Sequence, residues 1–237
     1  MITHGIGSIQ SQVSDSRSNP WYLEWSERLS NVQGIRIADA ITKNEAIALT
    51  DGSYQKHGTA GFCIGENFNS IWQGACRVPG PMGSQSAYCS KLIGIYATLQ
   101  MCRRVCTEHS IQSGGITIAC DNLTAGHSLR RTLYYPNPTW DHFDVLQAIF
   151  RLIHILPIRV RYIRVEGHQR TKYPSRQLDE WALLNEKMDA LAKAYLEFSQ
   201  AYDPLGYELT ANEWYICIDG RKVCKHLKPV VDRHLRT

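Results

Sequence analysis

Two short apolar runs, AIALTD and ITIACD, each end on an aspartate, at Asp51 and Asp121. A run of four to six apolar residues bounded by a polar stop is the pattern of a buried strand. In a mixed α/β sheet the functional site forms beyond the carboxyl ends of the strands. Two acids at two such ends therefore fix both a fold class and a place to look for chemistry. TAGFCIG and SIWQGACRVPG follow the first run, each bounded by Gly, Asn or Pro, so the first three strands read as an antiparallel meander. Residues 86–106 carry Leu92, Ile95, Leu99 and Cys102 at helical spacing. Past ITIACD, NLTAGHSLRR reads as a short helix. DHFDVLQAIFRLIHIL reads as an amphipathic helix ended before Pro157, IRVRYIRVEG as a half-buried strand, and WALLNEKMDALAKAYLEF as the last long helix. Three strands, then alternating helices and strands, imply a mixed sheet with helices packed on it.

The flanks differ in style. Residues 1–43 are polar and Ser/Asn-rich and read as a lead-in, with a short helical patch around Tyr22–Leu29. Residues 44–202 form the main domain. Residues 203–237 read as an extension in which EWYICI and RKVCK flank Asp219-Gly220, a two-residue hairpin signal, with a short basic helix after it. The extension is too small to hold its own core and is expected to dock on the domain.

Composition bounds the function classes. The chain is 43% hydrophobic, which suits a globular core. No apolar run reaches the roughly 18 residues of a membrane span. The longest stretch, residues 148–160, is broken by Arg151, His154, Pro157 and Arg159. The opening MITHGIGSIQSQ has neither a basic region nor a long apolar one, against a secretory signal. Net charge is +4 and pI about 8.6, which permits a polyanionic partner without demanding one. Eight cysteines show no CxxC pair and no zinc-like cluster with histidine, so reduced core thiols in an intracellular protein are expected.

A third acid, Asp189, falls in the last helix. Clustered carboxylates repel and persist mainly where a cation neutralises them. Hard oxygen ligands select Mg²⁺ or Mn²⁺, and a pair of such ions suits phosphodiester hydrolysis. Each acid also has a plain structural reading: a strand-end turn, a helix cap, a solvated helix position.

The blocks TDGS at 50–53, SAYCSKLIGIYATL at 86–99, TIACDN at 117–122, VEGHQ at 165–169 and LNEKMDALAKAY at 184–195 resemble, in order, the motifs of ribonuclease H over about residues 44–200. The last blocks look like the ribonuclease H segment of retroelement polyproteins. The resemblance implies a three-layer α/β fold with a five-stranded mixed sheet flanked by helices and, here, a small C-terminal hairpin extension. It implies a two-metal site of Mg²⁺ or Mn²⁺ on Asp51, Asp121 and Asp189, with His168 aiding proton transfer or product release and Asn185 positioning the site. It makes Ser53, Asn122 and Asn185 substrate contacts, and Lys91 is added to them as a positive group able to hold phosphate. The implied partners are RNA–DNA hybrid or another nucleic acid, and a reverse transcriptase in the same polyprotein, with no membrane. Arg103, Arg104, Arg130, Arg131, Arg170 and Lys172 are candidate hybrid contacts, and Trp140 and Trp181 candidate stacking residues against a commoner role in the core.

One position departs from the pattern. The family's helix motif, roughly S-x-x-x-E-L-x-G, has Lys91 where the acid belongs, in the run Ser-Lys-Leu-Ile-Gly at 90–94, with Leu92 and Gly94 in place after it. Glu66 is the nearest upstream acid, in a turn between strands. At about 4 Å and an effective dielectric of about 20, one unit-charge pair is worth about 4 kcal/mol, so the swap opposes a metal while it can hold a phosphate. Two readings stay open: a ribonuclease of the hybrid-cutting kind, impaired at Lys91, and an inactive binding or structural module of the same fold.

Overall fold

The computed structural model describes residues 25–26, 29–80, 85–122, 136–137, 140–172, 177–199, 217–218 and 221–222. Its elements in chain order are β1 (Trp25–Ser26), α1 (Asn31–Lys43), β2 (Ala46–Tyr54), β3 (Gly58–Glu66), β4 (Asn69–Arg77), α2 (Ala87–Glu108), β5 (Gly115–Cys120), α3 (Phe143–Ile155), β6 (Arg159–Arg164), α4 (Gln169–Lys172), α5 (Glu180–Ser199), β7 (Cys217–Ile218) and β8 (Arg221–Lys222). The main sheet runs β1-β4-β3-β2-β5-β6. The β2–β3–β4 meander is antiparallel, and β5 and β6 add to it in parallel. The mixed sheet expected from the sequence is present, with one extra strand at its edge.

That extra strand corrects the reading of the lead-in. Trp25 and Ser26, expected in a helical patch, pair with Ala75 and Gly74 of β4. The edge of β4 offers unpaired backbone groups, and the chain before α1 takes them. The helix sits later. Ser30 caps α1, its side chain accepting from Gln33 N while the Gln33 side chain accepts from Ser30 N. Ile37, Ala40 and Ile41 of α1 are fully buried in the main core, so part of the lead-in belongs to the domain. The helix expected over NLTAGHSLRR lies mostly outside the described residues, as do the docking of the C-terminal extension and its basic helix. Within that extension, Cys217 pairs with Lys222 and Ile218 with Arg221, the register of the expected hairpin.

Alternation along the strands builds three layers. On one face, Ala46 and Ala48 of β2 join α1, α2 and α3 in the larger core with Phe62, Trp72, Ile93 and Leu99. On the other, Leu49, Cys63 and Ala119 pack against Leu184 and Met188 of α5. Close approach is a matter of small residues. A Cβ on Gly61 would stand 2.6 Å from Met188 O, and one on Gly94 would stand 3.0 Å from Thr50 Cβ. Glycine at these places lets α5 and α2 lie on the sheet backbone. Cys63, Cys76, Cys89, Cys102, Cys106 and Cys120 are free and buried. Trp181 packs edge-on to Phe68 at 4.7 Å within the second core, and Trp140 packs against the first. Both follow the core reading. No helix among the described residues is long and apolar enough to cross a membrane.

Candidate functional site

The parallel register of β2 and β5 pairs Leu49 with Ala119. Two residues further along each chain stand Asp51 and Asp121, pointing to the same side of the sheet because the side-chain period of a strand is two. The fold thus brings the two strand-end acids together, as the sequence implied. Asp51 is 1% exposed, and the Asp121 side chain is 10% exposed.

Lys91 lies between them. Its ammonium donates to Asp51 Oδ1 and to Asp121 Oδ1. The reach is set by packing. Gly52 has no side chain, and a Cβ there would meet Ser90 Cβ at 2.6 Å and Lys91 N at 2.8 Å. The α2 backbone therefore rests directly on β2. Ser90 Oγ donates to Ser53 O at 3.1 Å and locks that contact. The Lys91 backbone is anchored at one end and its ammonium at the other.

The remaining valences are partly met. Gly52 N donates to Asp51 Oδ1 at 2.7 Å, and Asn185 Nδ2 of α5 lies 3.5 Å from Asp51 Oδ2. Asn185 is buried, and its Oδ1 has no hydrogen-bond partner. On the far side, Gly167 presses on Asp121: a Cβ there would stand 2.3 Å from Asp121 Oδ2. His168 follows with φ 55°, in the left-handed region, and is exposed. Tyr162 OH donates to Cys120 O at 3.1 Å and Asn122 O at 3.0 Å, pinning the end of β5.

Charge follows from this geometry. Burial pushes the Asp51 carboxyl up from its ordinary value, with Lys91 pulling the other way. For Lys91 burial acts to lower the pKa, but the Asp51 and Asp121 carboxylates outweigh it and the net shift is upward. Lys91 is thus a permanent cation near neutral pH, unsuited to accepting a proton.

The other expected residues divide. Asn185 reaches the pair, and His168 sits in the loop that backs Asp121. Ser53 and Asn122 flank the acids, both partly exposed, with their carbonyls held by Ser90 and Tyr162. Asp189 does not join: its Oδ2 accepts from Lys193 Nζ at 2.7 Å, one turn along α5. Lys91, expected to hold phosphate, is committed to the two acids. Glu66 pairs with Ala46 at the opposite end of β2 and is no substitute ligand. Arg170 is bridged to Glu186 at 3.0 Å, Lys172 to Glu166 at 3.4 Å and Arg104 to Glu108 at 2.8 Å. Arg103 is exposed, and Arg130 and Arg131 lie outside the described residues. Tyr162 was not singled out from the sequence, and Gly52, Ser90 and Gly167 entered only as members of motif blocks. The glycine after the first acid and the glycine before His168 were the available signals.

The residues present do not fit the expected two-metal centre. The ammonium covers the inner oxygen of each carboxylate, the third acid is turned to a lysine of its own helix, and among the described residues no three His, Cys, Asp or Glu side chains gather to hold an ion.

No family model and no curated protein matches the chain. Solved structures do. LC11-RNase H1, in complex with RNA/DNA hybrid, is 11% identical over 65% of this chain and 98% of its own, with a TM-score of 0.49. RNase H1 from the halophilic archaeon Halobacterium salinarum NRC-1 is 13% identical over 65% and 98%, with a TM-score of 0.40. A foamy viral protease-reverse transcriptase in complex with dsDNA is 16% identical over 65% and 94%, also at 0.40. The fold itself is read from the strand order of this chain, a mixed sheet with helices on both faces.

Proposed function

We propose that this chain is a nucleic-acid-binding module of ribonuclease H type, which takes RNA–DNA hybrid at the Asp51–Asp121 end of its sheet without cleaving it. The observation that carries the reading is the Lys91 ammonium held between the two carboxylates. It occupies one oxygen of each carboxylate that would hold a metal, and its raised pKa leaves it no role as a base. The ordered motif blocks of the sequence support the hybrid as ligand class. Ser53 and Asn122, partly exposed on either side of the acids, would meet a ribose 2′-hydroxyl, the group by which a protein tells RNA from DNA. Exposed His168 completes the rim. In a retroelement polyprotein such a module would hold or orient the hybrid beside a reverse transcriptase.

The test is direct. Labelled RNA–DNA hybrid is incubated with Mg²⁺ or Mn²⁺ and the native chain, Lys91→Glu or Asp51→Asn, and binding is followed by anisotropy across a salt series. The native chain is expected to bind and leave the RNA strand intact. Cleavage by the native chain that vanishes in Asp51→Asn would refute the non-cleaving reading. Failure to bind hybrid or duplex at low salt would refute the binding one.

A further inference from the structure

We infer that Lys91 is a tethered counter-ion that takes over the cation's place between Asp51 and Asp121, and that removing its charge alone turns the pair into a divalent-cation site. The inference deepens the reading of the same site, but it rests on the ammonium's position and holds whether or not the ligand is nucleic acid.

Three observations carry it. Asp51 is 1% exposed, so water cannot supply the countercharge that two neighbouring carboxylates need. The structure supplies it from Lys91, which donates to one oxygen of each acid. The lysine is also built in. Its backbone is pressed onto Gly52, and Ser90 beside it is bonded to Ser53 O at 3.1 Å. The ammonium is the far end of a fixed strut, its side chain 12% exposed. The last observation is an acceptor left over. Asn185 Oδ1 is buried without a partner, on the side chain whose Nδ2 faces Asp51 Oδ2 at 3.5 Å.

Charge decides the outcome. Two carboxylates and one ammonium leave the site at −1, and a divalent ion added beside Lys91 would meet a fixed like charge a few ångströms away. Without the ammonium the site is at −2, the charge a divalent ion neutralises. Two carboxylate groups then offer the hard oxygen donors that Mg²⁺ and Mn²⁺ select, and Asn185, whose Nδ2 faces Asp51 in the native site, can add its buried Oδ1 by turning its amide. The inner oxygens are released by the same substitution that removes the repulsion.

The experiment needs no nucleic acid. Mn²⁺ is titrated into the full chain while its free-ion paramagnetic resonance signal is followed, and thermal unfolding is recorded with and without Mn²⁺. The proteins are native, Lys91→Ala, Lys91→Gln and Lys91→Ala with Asp51→Asn. Lys91→Gln keeps a hydrogen-bond donor, so a folded neutral variant is at hand if alanine unfolds the chain; circular dichroism checks the fold of each. The neutral variants are expected to bind Mn²⁺ more tightly than native by an order of magnitude or more. Their unfolding midpoints should rise with Mn²⁺, and Asp51→Asn should abolish both effects. Equal Mn²⁺ affinity in the native chain, lost in Asp51→Asn, would show that the ammonium yields to metal and overturn the inference. So would a folded neutral variant that binds no more Mn²⁺ than native. Hybrid binding can fail while these results stand, and the reverse.

Discussion

Replacing Lys91 by methionine keeps most of the stem volume and removes the charge. Two buried carboxylates then face each other without a cation. Each ion pair of this kind is worth roughly 4 kcal/mol at about 4 Å and an effective dielectric of about 20. Lys91 makes two such pairs, and burying the ammonium costs several kcal/mol in return. Measured losses on breaking one partner of a buried pair centre on about 3–5 kcal/mol, because the other charge is left behind, and that is the expected loss at pH 7. The pH dependence has a definite sign. Lys91 has a raised folded pKa, so its contribution is complete below the ordinary lysine pKa and is lost only as pH rises through the folded value. Asp51 is also raised, by burial first, so the cost of its charged form is felt above its folded pKa and relieved as pH falls. In Lys91→Met that carboxyl rises further. Acidification from pH 7 toward pH 4 should therefore narrow the gap between variant and native. Urea unfolding followed by circular dichroism at a series of pH values measures this. A loss under about 1 kcal/mol at pH 7, or a gap that stays constant into acid, would show that the ammonium is not the countercharge of the pair.

Two further outcomes follow from packing. Gly167→Ala places a Cβ 2.3 Å from Asp121 Oδ2 and 3.1 Å from its Cγ, so the loop or the aspartate must move. Overpacking of this kind costs typically about 1–3 kcal/mol; stability in urea and hybrid affinity should both fall, and a variant unchanged in both would mean that Gly167 does not shape the site. Burial pushes the thiols of Cys63, Cys106 and Cys120 up to about 11, and thiolate is the reactive form. Iodoacetamide at pH 8 followed by peptide mass mapping should leave Cys63, Cys76, Cys89, Cys102, Cys106 and Cys120 unmodified until denaturant is added; prompt labelling of Cys120 would contradict the packing of the β5 end.

What the sequence disclosed, and what it withheld, divide along a physical line. Patterns fixed by the backbone were legible. The runs ending at Asp51 and Asp121 are strands, and parallel register puts the two acids side by side. Ser86 caps α2, accepting from Cys89 N at 3.0 Å, where the helical spacing begins. Helix α1 was missed, although Ser30 and Gln33 spell a capping box, because Gly34 and the mixed faces of NVQGIRIADAITK blur the apolar period. Side-chain allegiance was not legible at all. Asp189 could turn to the strand-end acids or to Lys193 four residues on, a favourable helix spacing for an ion pair. Spacing alone does not choose between them, and in the structure the local partner holds it.

The same limit applies to Lys91, with a larger consequence. A lysine at that position could have swung out on its flexible stem to meet phosphate or solvent. Which occurs depends on how near the helix backbone comes to β2. That distance is set by Gly52, Gly58 and Gly94, where any Cβ would meet Ser90, Val78 or Thr50. With the helix held down, Lys91 starts beside the acids. The buried Asp51 carboxylate then has a cation within reach that needs no binding from solution. Three glycines and a serine thus decide where the Lys91 ammonium goes, since the packing around it delivers the ammonium to the two carboxylates.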